Sequence, residues 1–352
     1  MSAMGRIRRN RDNAVRGGFS LQWRSKTNSS KRTVAMANLM EEARNDKPAK
    51  NTKAARRSSK KDHKLGRIRQ IKANDGKSVP RDEAQGMRFG ANPDLDRYTS
   101  DTATVHWMDQ EAGVFSVMVI PKESTRKSVT EKSTYNTVRA LERLQATEKT
   151  CRRSKSKSGT STSGARYAIF GNKVHRGGHG FVHDKLSKTD PQSARTLEKW
   201  ARRMERLVCE FIPSGWLRAI SKANGFCGWP TVGRCRFVAA MASSVNYDAP
   251  AHDDDDYLFS IHQVNVVGRL DSVDVVQWFC FPTYGFAIGL RPGDVILFNP
   301  HVHHCLSEKT EEYSDVDVHV TTFYVKTAHV GKNDNSLPLT EEEQLYYNMT
   351  FE

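Results

Sequence analysis

The feature that most constrains the fold is a series of short segments rich in β-branched and aromatic residues in the C-terminal half of the chain. From about residue 226 onward, at least five such segments follow one another, separated by Gly, Pro, Asn and Asp. They read RCRFVAAMASSVNY, YLFSIHQVNVVG, VVQWFCFPTYGFAIGL, GDVILFN and VDVHVTTFYVKT. Short strands at this density predict a β-barrel or a β-sandwich.

Helical patterns precede the strands. One face of an amphipathic helix is predicted by apolar residues at spacings of three and four, namely Leu197, Trp200, Met204, Leu207, Val208 and Phe211. Pro191 and Ser193 mark its start, and Pro213 with Gly215 marks its end. A second helix is predicted over residues 133–149, after a strand within 106–122. The fold class is therefore α+β, with helices packed on one side of the strands.

Positive charge is concentrated at the N-terminus. Residues 1–80 hold 22 Lys and Arg against 6 Asp and Glu, a net charge of +16, whereas the remaining 272 residues carry a net charge of −1. The segment has few large apolar residues, so we expect a disordered basic tail. Clustered Lys and Arg favour contact with DNA or RNA phosphates, or nuclear import, although a solvated arm without a fixed partner has the same composition.

The composition also limits the class of protein. No apolar run approaches the roughly 18 residues that span a bilayer, and no signal-peptide core follows Met1. We therefore expect an intracellular protein with no membrane partner. The six cysteines form no Cys-x-x-Cys pair, which argues against a zinc ribbon or a disulfide framework.

These patterns predict five regions. Residues 1–90 form the basic tail, and residues 91–150 form a small α/β segment that packs on the core. Residues 151–166, rich in Ser, Gly, Thr and Lys, form a linker or long loop. Residues 167–335 form the β-rich domain, and 336–352 form a C-terminal tail.

A His-x-Asp pair lies directly before one of the strands. In AHDDDDYLFS, His252 and Asp254 are two residues apart, so in an extended segment they share a face. The acidic run alone is typical of a solvated loop, and it lacks the Gly and terminal Glu of a calcium-binding EF-hand loop. Some fifty residues later, GDVILFNPHVHHCLS supplies three histidines at the end of another strand. Two histidines and one carboxylate form the facial triad that binds Fe(II) in oxygenases.

This conjunction resembles the Fe(II)/2-oxoglutarate-dependent dioxygenases. The matching residues are His252-x-Asp254, then Arg-Pro-Gly-Asp-Val-Ile-Leu-Phe, then a histidine followed by a small and an aliphatic residue. The resemblance covers roughly residues 167 to 330 and implies a double-stranded β-helix (jelly-roll) that binds Fe(II) and 2-oxoglutarate. It makes His252, Asp254 and His304 the metal ligands and catalytic residues, with His301 and His303 as competitors for the distal position.

The cosubstrate site departs from the family pattern. The family usually places an arginine or lysine on the strand after the distal histidine, to bind the far carboxylate of 2-oxoglutarate. No arginine follows His304 in this chain. The resemblance therefore leaves a set of candidate cosubstrate-binding residues: Asn246, Tyr247, His319, Thr321 and Lys326. Arg269 and Arg291 are further candidates from other strands.

The resemblance implies hydroxylation of a C–H bond in a macromolecular substrate. The basic tail favours the family branch that oxidises nucleic-acid bases, while a protein side chain stays an alternative substrate. A jelly-roll that has lost catalysis and binds nucleic acid, as in a mobile-element-associated protein, is the alternative from another class, because the expected arginine is missing. The sequence predicts no oligomeric state.

Overall fold

The parts of the chain that are described in the structure, a computed structural model, run from residue 68 to residue 326 with gaps. They are residues 68–99, 102–109, 114–125, 127–148, 167–174, 181–212, 229–254, 256–257 and 259–326. The predicted linker and C-terminal tail, and residues 1–67 of the predicted basic tail, lie outside them.

Two sheets form the core of the fold. The strands of the larger sheet, in spatial order, are β1 (Arg69–Gln70), β3 (Thr104–Asp109), β4 (Val114–Ile120), β12 (Val295–Phe298), β9 (Ser260–Asn265), β14 (His319–Tyr324), β7 (Ala240–Val245), β5 (Tyr167–Val174) and β6 (Phe181–His183). Those of the smaller sheet are β2 (Asp96–Tyr98), β11 (Phe286–Leu290), β10 (Gln277–Phe281), β13 (His304–Leu306) and β8 (Ala249–His252). The five segments predicted from the C-terminal half contain most of the residues of the eight strands from β7 to β14.

The pairing of these eight strands is nested. β7 pairs with β14, β8 with β13, β9 with β12, and β10 with β11, all antiparallel. Such nesting is produced when a long hairpin is wound into a barrel of two facing sheets, which is the jelly-roll arrangement. The predicted double-stranded β-helix is therefore confirmed, and its interior is filled by a cluster that includes Phe279, Phe281, Phe286 and Phe298.

The two long helices pack against the larger sheet, in one hydrophobic cluster with residues of β4, β5 and β7. The helices among the described residues are α1 (Arg81–Ala84), α2 (Lys122–Thr125), α3 (Glu131–Thr147), α4 (Leu186–Thr189) and α5 (Pro191–Cys209). The two predicted helices correspond to α3 and α5. α3 begins with a capping box between Thr130 and Ser133, and α5 begins at Pro191 with the Asp190 carboxylate accepting a hydrogen bond from the Ser193 amide. No helix within the described ranges is both long and apolar enough to cross a bilayer.

Residues 68–90, which the sequence assigned to the tail, belong to the fold. β1 pairs in parallel with β3, and the amide of Ala251 in β8 donates to the Met87 carbonyl at 2.7 Å. β2 pairs in parallel with β11, so this N-terminal stretch and the strand that follows it lie along both edges of the smaller sheet. The composition suggested disorder because the stretch has few apolar residues, but its backbone hydrogen bonds to the strand edges are independent of side chains.

Candidate metal centre and its pocket

The two histidines of the predicted triad lie opposite each other across a strand pair. β8 ends at His252, β13 begins at His304, and the two residues are direct partners in the antiparallel register. Their ring centroids are 4.8 Å apart. Side chains of directly opposed residues point to the same face of a sheet. The pairing of β8 with β13 therefore brings together residues that are 52 positions apart in the chain.

Asp254 completes the centre from the chain that follows β8. Its Oδ1 lies 3.7 Å from His252 Nε2, and its Oδ2 lies 3.5 Å from His304 Nε2. The three candidate ligand atoms all lie within 4.8 Å of one another. The Asp254 amide donates to the Pro300 carbonyl at 2.8 Å, which ties this segment to the loop before His304. The geometry thus brings together the three residues that the sequence proposed as ligands.

Backbone carbonyls orient both imidazole rings. His252 Nδ1 lies 2.7 Å from the Pro250 carbonyl oxygen, and His304 Nδ1 lies 2.8 Å from that of Val302. Because a carbonyl only accepts, each Nδ1–H is the donor, and Nε2 is the nitrogen that a metal can take. A backbone or carboxylate partner on the second ring nitrogen is the usual support for a metal-binding histidine.

The charge state of Asp254 suits a ligand. Burial raises the pKa of its carboxyl group, but the hydrogen bond with His304 and the charges of His252 and His304 outweigh burial and hold that pKa well below its ordinary range. The side chains of His252 and Asp254 are 24% and 27% exposed, so the centre is open to ions and ligands. A metal cation bound here would be held by this ionised carboxylate.

The other aspartates of the acidic run have different partners. Asp253 accepts from Arg81 Nη2 at 2.8 Å. Asp256 is 2% exposed, accepts from Ser260 Oγ at 2.7 Å, and pairs with Lys326 Nζ at 3.3 Å. Burial raises the pKa of Asp256 to about 6 despite the opposing effect of Lys326. Asp255 lies outside the described residues. The run therefore divides into separate contacts, of which one faces the candidate metal centre.

Of the two competitors for the distal position, neither joins the centre. His303 Nε2 lies 2.7 Å from Gln85 Oε1, and the His301 amide donates to Asn299 Oδ1 at 3.1 Å. His303 belongs to the opposite face from His304 because neighbouring residues alternate.

An open pocket leads from the centre into the barrel. Its walls combine aromatic and polar side chains from both sheets: Tyr247, His262, Phe279, Phe298, Thr322 and Lys326. Phe279 is stacked on the His304 ring at a centroid distance of 5.5 Å, and Phe298 lies 4.7 Å from the same ring. The pocket is thus apolar around the distal histidine and polar where it meets β9 and β14.

The candidate cosubstrate residues divide into two groups. Tyr247 and Lys326 line the pocket. His319 and Thr321, which the sequence placed in the cosubstrate site, do not line it. Val320 and Thr322 of the same strand line the pocket, and because residues alternate along a strand, His319 and Thr321 point to the opposite face. Thr321 Oγ1 lies 3.5 Å from the Gln263 carbonyl oxygen on that far face.

Asn246 also serves another purpose than the one expected of it. Its backbone has a positive φ of 49°, and it occupies the turn between β7 and β8. Its Oδ1 accepts from the Val318 amide at 3.0 Å and from Lys309 Nζ at 3.1 Å. Both arginines proposed as alternatives, Arg269 and Arg291, are absent from the described residues that line the pocket. Arg291 instead pairs with Asp294 and Glu123.

His262 is a pocket residue that sequence reasoning missed. It lies on β9 with Nδ1 3.0 Å from Thr322 Oγ1, and its buried Nε2 has no hydrogen-bond partner among the described residues. Burial, with a smaller effect of the His304 charge, lowers the pKa of His262 to about 3, so the ring is neutral. Because side chains alternate along a strand, the sequence SIHQVN places His262 on the same face as Val264. It does not show which of the two faces lines the barrel interior, so His262 could not be assigned to the pocket from the sequence.

Comparison with known proteins gives weak similarities. No family model matches the chain, and no curated protein matches its sequence. Among solved structures, NgTET1 in complex with 5mC DNA has a TM-score of 0.46 at 11% identity, covering 89% of this chain and 98% of that one.

Two further solved structures are similar over a smaller share of the chain. A prolyl hydroxylase from Trichoplax adhaerens, in complex with a hypoxia inducible factor peptide fragment, has a TM-score of 0.37 at 9% identity over 60% of this chain and 84% of that one. A 2OG-Fe(II) oxygenase family oxidoreductase from Burkholderia pseudomallei has a TM-score of 0.36 at 13% identity over 62% and 87%. With TM-scores below 0.5, these similarities do not assign a function to the chain.

Proposed function

We propose that this protein is an Fe(II)/2-oxoglutarate-dependent dioxygenase that hydroxylates a C–H bond of a macromolecular substrate. The observation that carries the proposal is the meeting of His252, Asp254 and His304 at the mouth of a jelly-roll barrel, with every candidate ligand atom within 4.8 Å of the others. Three protein ligands on one face leave the opposite face of a metal open to small molecules.

The donor set fits Fe(II). Two imidazole nitrogens and one ionised carboxylate are the combination found in non-heme iron oxygenases, and a structural zinc site would instead be closed by four ligands. The Nδ1–H bonds to Pro250 and Val302 hold both rings in the orientation that presents Nε2. The protein therefore orients the ligand rings before any metal arrives.

The pocket offers donors for a dicarboxylate. Lys326 is the one fully charged cation among the described residues that line it. His262 Nδ1 lies 3.0 Å from the Thr322 hydroxyl. The other ring nitrogen, Nε2, is buried and has no hydrogen-bond partner among the described residues. If the Thr322 hydroxyl donates to Nδ1, then Nε2 carries the proton and points a neutral donor at a carboxylate. We assign Lys326 and His262 to the carboxylate of 2-oxoglutarate that lies farther from the metal, and Tyr247 to the wall of that pocket.

Bound Fe(II), with the 2-oxo acid and oxygen, supplies the oxidising power for the C–H bond. The chain's own residues position the ligand rings and the cosubstrate, and they shield the metal centre from water. Phe279 and Phe298 pack on the His304 ring and keep water from that side of the centre. Lys326 and His262 orient the cosubstrate, and the carbonyls of Pro250 and Val302 prevent the ligand rings from rotating.

For the substrate, we propose a base in DNA or RNA. The supporting observation is the net charge of +16 in residues 1–80, which would neutralise phosphates and so recruit the enzyme to nucleic acid, in the nucleus where the cell has one. A protein side chain is the alternative substrate, since a tail of this kind recruits an enzyme without selecting the group it oxidises.

One observation favours a second candidate, a jelly-roll that binds nucleic acid without catalysis. Asp256 already pairs with Lys326 at 3.3 Å, so the pocket cation is partly neutralised. In that case the pocket would not bind 2-oxoglutarate, whether or not the centre holds a metal.

Turnover of 2-oxoglutarate separates the two. We expect the purified protein with Fe(II) to convert 2-oxoglutarate to succinate, and the Asp254→Ala variant to lose this conversion. Asp271→Ala is the matched control, because Asp271 is exposed and lies outside the described pocket lining. A folded, iron-loaded wild type that forms no succinate, with or without single-stranded and double-stranded DNA, would favour the binding protein.

A further inference from the structure

A segment before the barrel runs along the edge strand that carries the first ligand. Residues 80–89, which we call the N-terminal strap, include the single turn of α1. The Gly86 amide donates to the Ala251 carbonyl at 2.8 Å, and the Ala251 amide donates to the Met87 carbonyl at 2.7 Å. The Glu308 amide donates to the Phe89 carbonyl at 3.0 Å, so the strap is also joined to the chain after β13.

Two side chains of the strap hold the residues next to the metal ligands. Arg81 Nη2 lies 2.8 Å from the carboxylate of Asp253, the residue between His252 and Asp254. Gln85 Oε1 lies 2.7 Å from His303 Nε2, and His303 directly precedes His304. One turn of chain therefore reaches both ligand-bearing segments, which come from different parts of the sequence.

Alternation explains why these contacts act on the ligands. In an extended segment, Asp253 points away from the face that carries His252 and Asp254. The contact of Arg81 with Asp253 therefore lies on the opposite face from the ligands, where it restrains the peptide units that orient His252 and Asp254. The same applies to His303 and His304. His303 is 4% exposed, and its Nδ1 has no partner in the described part of the chain, so the bond to Gln85 is what orients its ring.

We propose that Arg81 and Gln85 are positioning residues that set the metal affinity of the centre from outside it. The inference rests on the metal-binding part of the proposed function and is independent of the substrate. Arg81 and Asp253 are 46% and 38% exposed, so their ion pair adds little to the stability of the fold. Its contribution is to geometry. Partners that contact a metal ligand directly change metal affinity by about 10–100-fold, and for contacts one residue removed from the ligands we expect the lower end of that range.

The chain offers a matched control. Arg88 belongs to the same strap and pairs with Asp248 at 2.8 Å, the same distance as the Arg81–Asp253 pair, and both arginines are exposed side chains. Asp248 precedes β8 and does not flank a ligand. Arg88→Ala therefore removes an ion pair of the same length from the same strap, at a residue whose ion pair does not involve the neighbours of the ligands.

Cobalt binding tests the proposal, because Co(II) reports both affinity and ligand geometry through its visible spectrum. We expect Arg81→Ala and Gln85→Ala to weaken Co(II) binding about tenfold each and to alter the spectrum of the loaded site. We expect Arg88→Ala to match the wild type in both, with all variants melting close to the wild type. Arg81→Lys and Gln85→Glu, which keep the donor and the acceptor, should recover most of the affinity.

Two results have distinct meanings. If Arg81→Ala and Gln85→Ala bind Co(II) as tightly as Arg88→Ala and give the wild-type spectrum, the strap does not position the ligands. If the folded wild type binds no Co(II), the proposed metal centre is wrong, and the role of the strap fails with it.

Discussion

Replacing Asp256 by asparagine should increase the affinity of the pocket for 2-oxoglutarate. Asp256 is buried, and its Oδ1 lies 3.3 Å from Lys326 Nζ, the charged group that we assign to the cosubstrate. A bound carboxylate must share this ammonium with Asp256 and is repelled by it. The Asp256→Asn substitution is nearly isosteric and keeps a side-chain oxygen for the hydrogen bond from Ser260.

The magnitude follows from the distance. If the cosubstrate carboxylate lies on the far side of the Lys326 ammonium, at the same 3.3 Å as Asp256, the two carboxylates are up to about 7 Å apart. At an effective dielectric constant of about 20, two negative charges at this distance repel each other by about 2 kcal/mol. The Lys326 side chain is 36% exposed, so solvent and salt reduce this value. We expect a net gain of about 1 kcal/mol, which is about a fivefold lower dissociation constant.

Calorimetric titration of the Mn(II)-loaded protein with 2-oxoglutarate in the absence of oxygen measures this change. Ser260→Ala, measured above about pH 8 so that Asp256 stays ionised, is the control, because it removes the 2.7 Å hydrogen bond to Asp256 and keeps the carboxylate, and its affinity should stay near that of the wild type. Lys326→Met should bind 2-oxoglutarate more weakly than the wild type. A folded, metal-loaded Asp256→Asn variant with unchanged or lower affinity would refute the assignment of Lys326.

Three further predictions concern the pocket and the core. His262→Phe keeps an aromatic ring but removes the Nε2 donor, so we expect about tenfold weaker 2-oxoglutarate binding in the same titration, and equal binding would remove His262 from the site. Trp200→Ala in α5, where the side chain is 2% exposed, should lower the free energy of unfolding by about 3–5 kcal/mol in urea, and a loss below about 1 kcal/mol would contradict the packing of α5. Burial lowers the pKa of His106 to about 4, so folding favours its neutral ring. The free energy of unfolding should therefore have its full value above about pH 6.5 and fall by up to about 3 kcal/mol as the pH decreases from there through 4. Unfolding of His106→Gln at pH 7 and pH 4.5 should show a smaller difference than the wild type, and an equal difference would exclude His106 as a source.

The sequence predicted the parts of the site that depend on local rules. His252 and Asp254 share a face because they are two residues apart in an extended segment, and the start of α5 follows from Pro191 and the residues that cap it. The choice of His304 over its neighbours came from a family resemblance, whereas the structure places it by the register of β8 against β13.

The rest depends on contacts that no local pattern encodes. Thr321 was expected in the pocket and Thr322 was not considered, because alternation along β14 predicts two faces without identifying the interior one. His262 was missed for the same reason. The strap was assigned to a disordered tail since its composition is polar, yet its order comes from backbone pairing with β8 and from single contacts such as Arg81 with Asp253.

Iron stoichiometry tests the central claim most directly. After anaerobic loading with Fe(II) and removal of unbound metal, we predict one iron per chain in the wild type and in His301→Ala, whose side chain is not one of the three candidate ligands. His304→Ala and Asp254→Ala should retain almost none while remaining folded. A wild type without iron, or a His304→Ala variant that retains a full equivalent, would contradict the assignment of this centre.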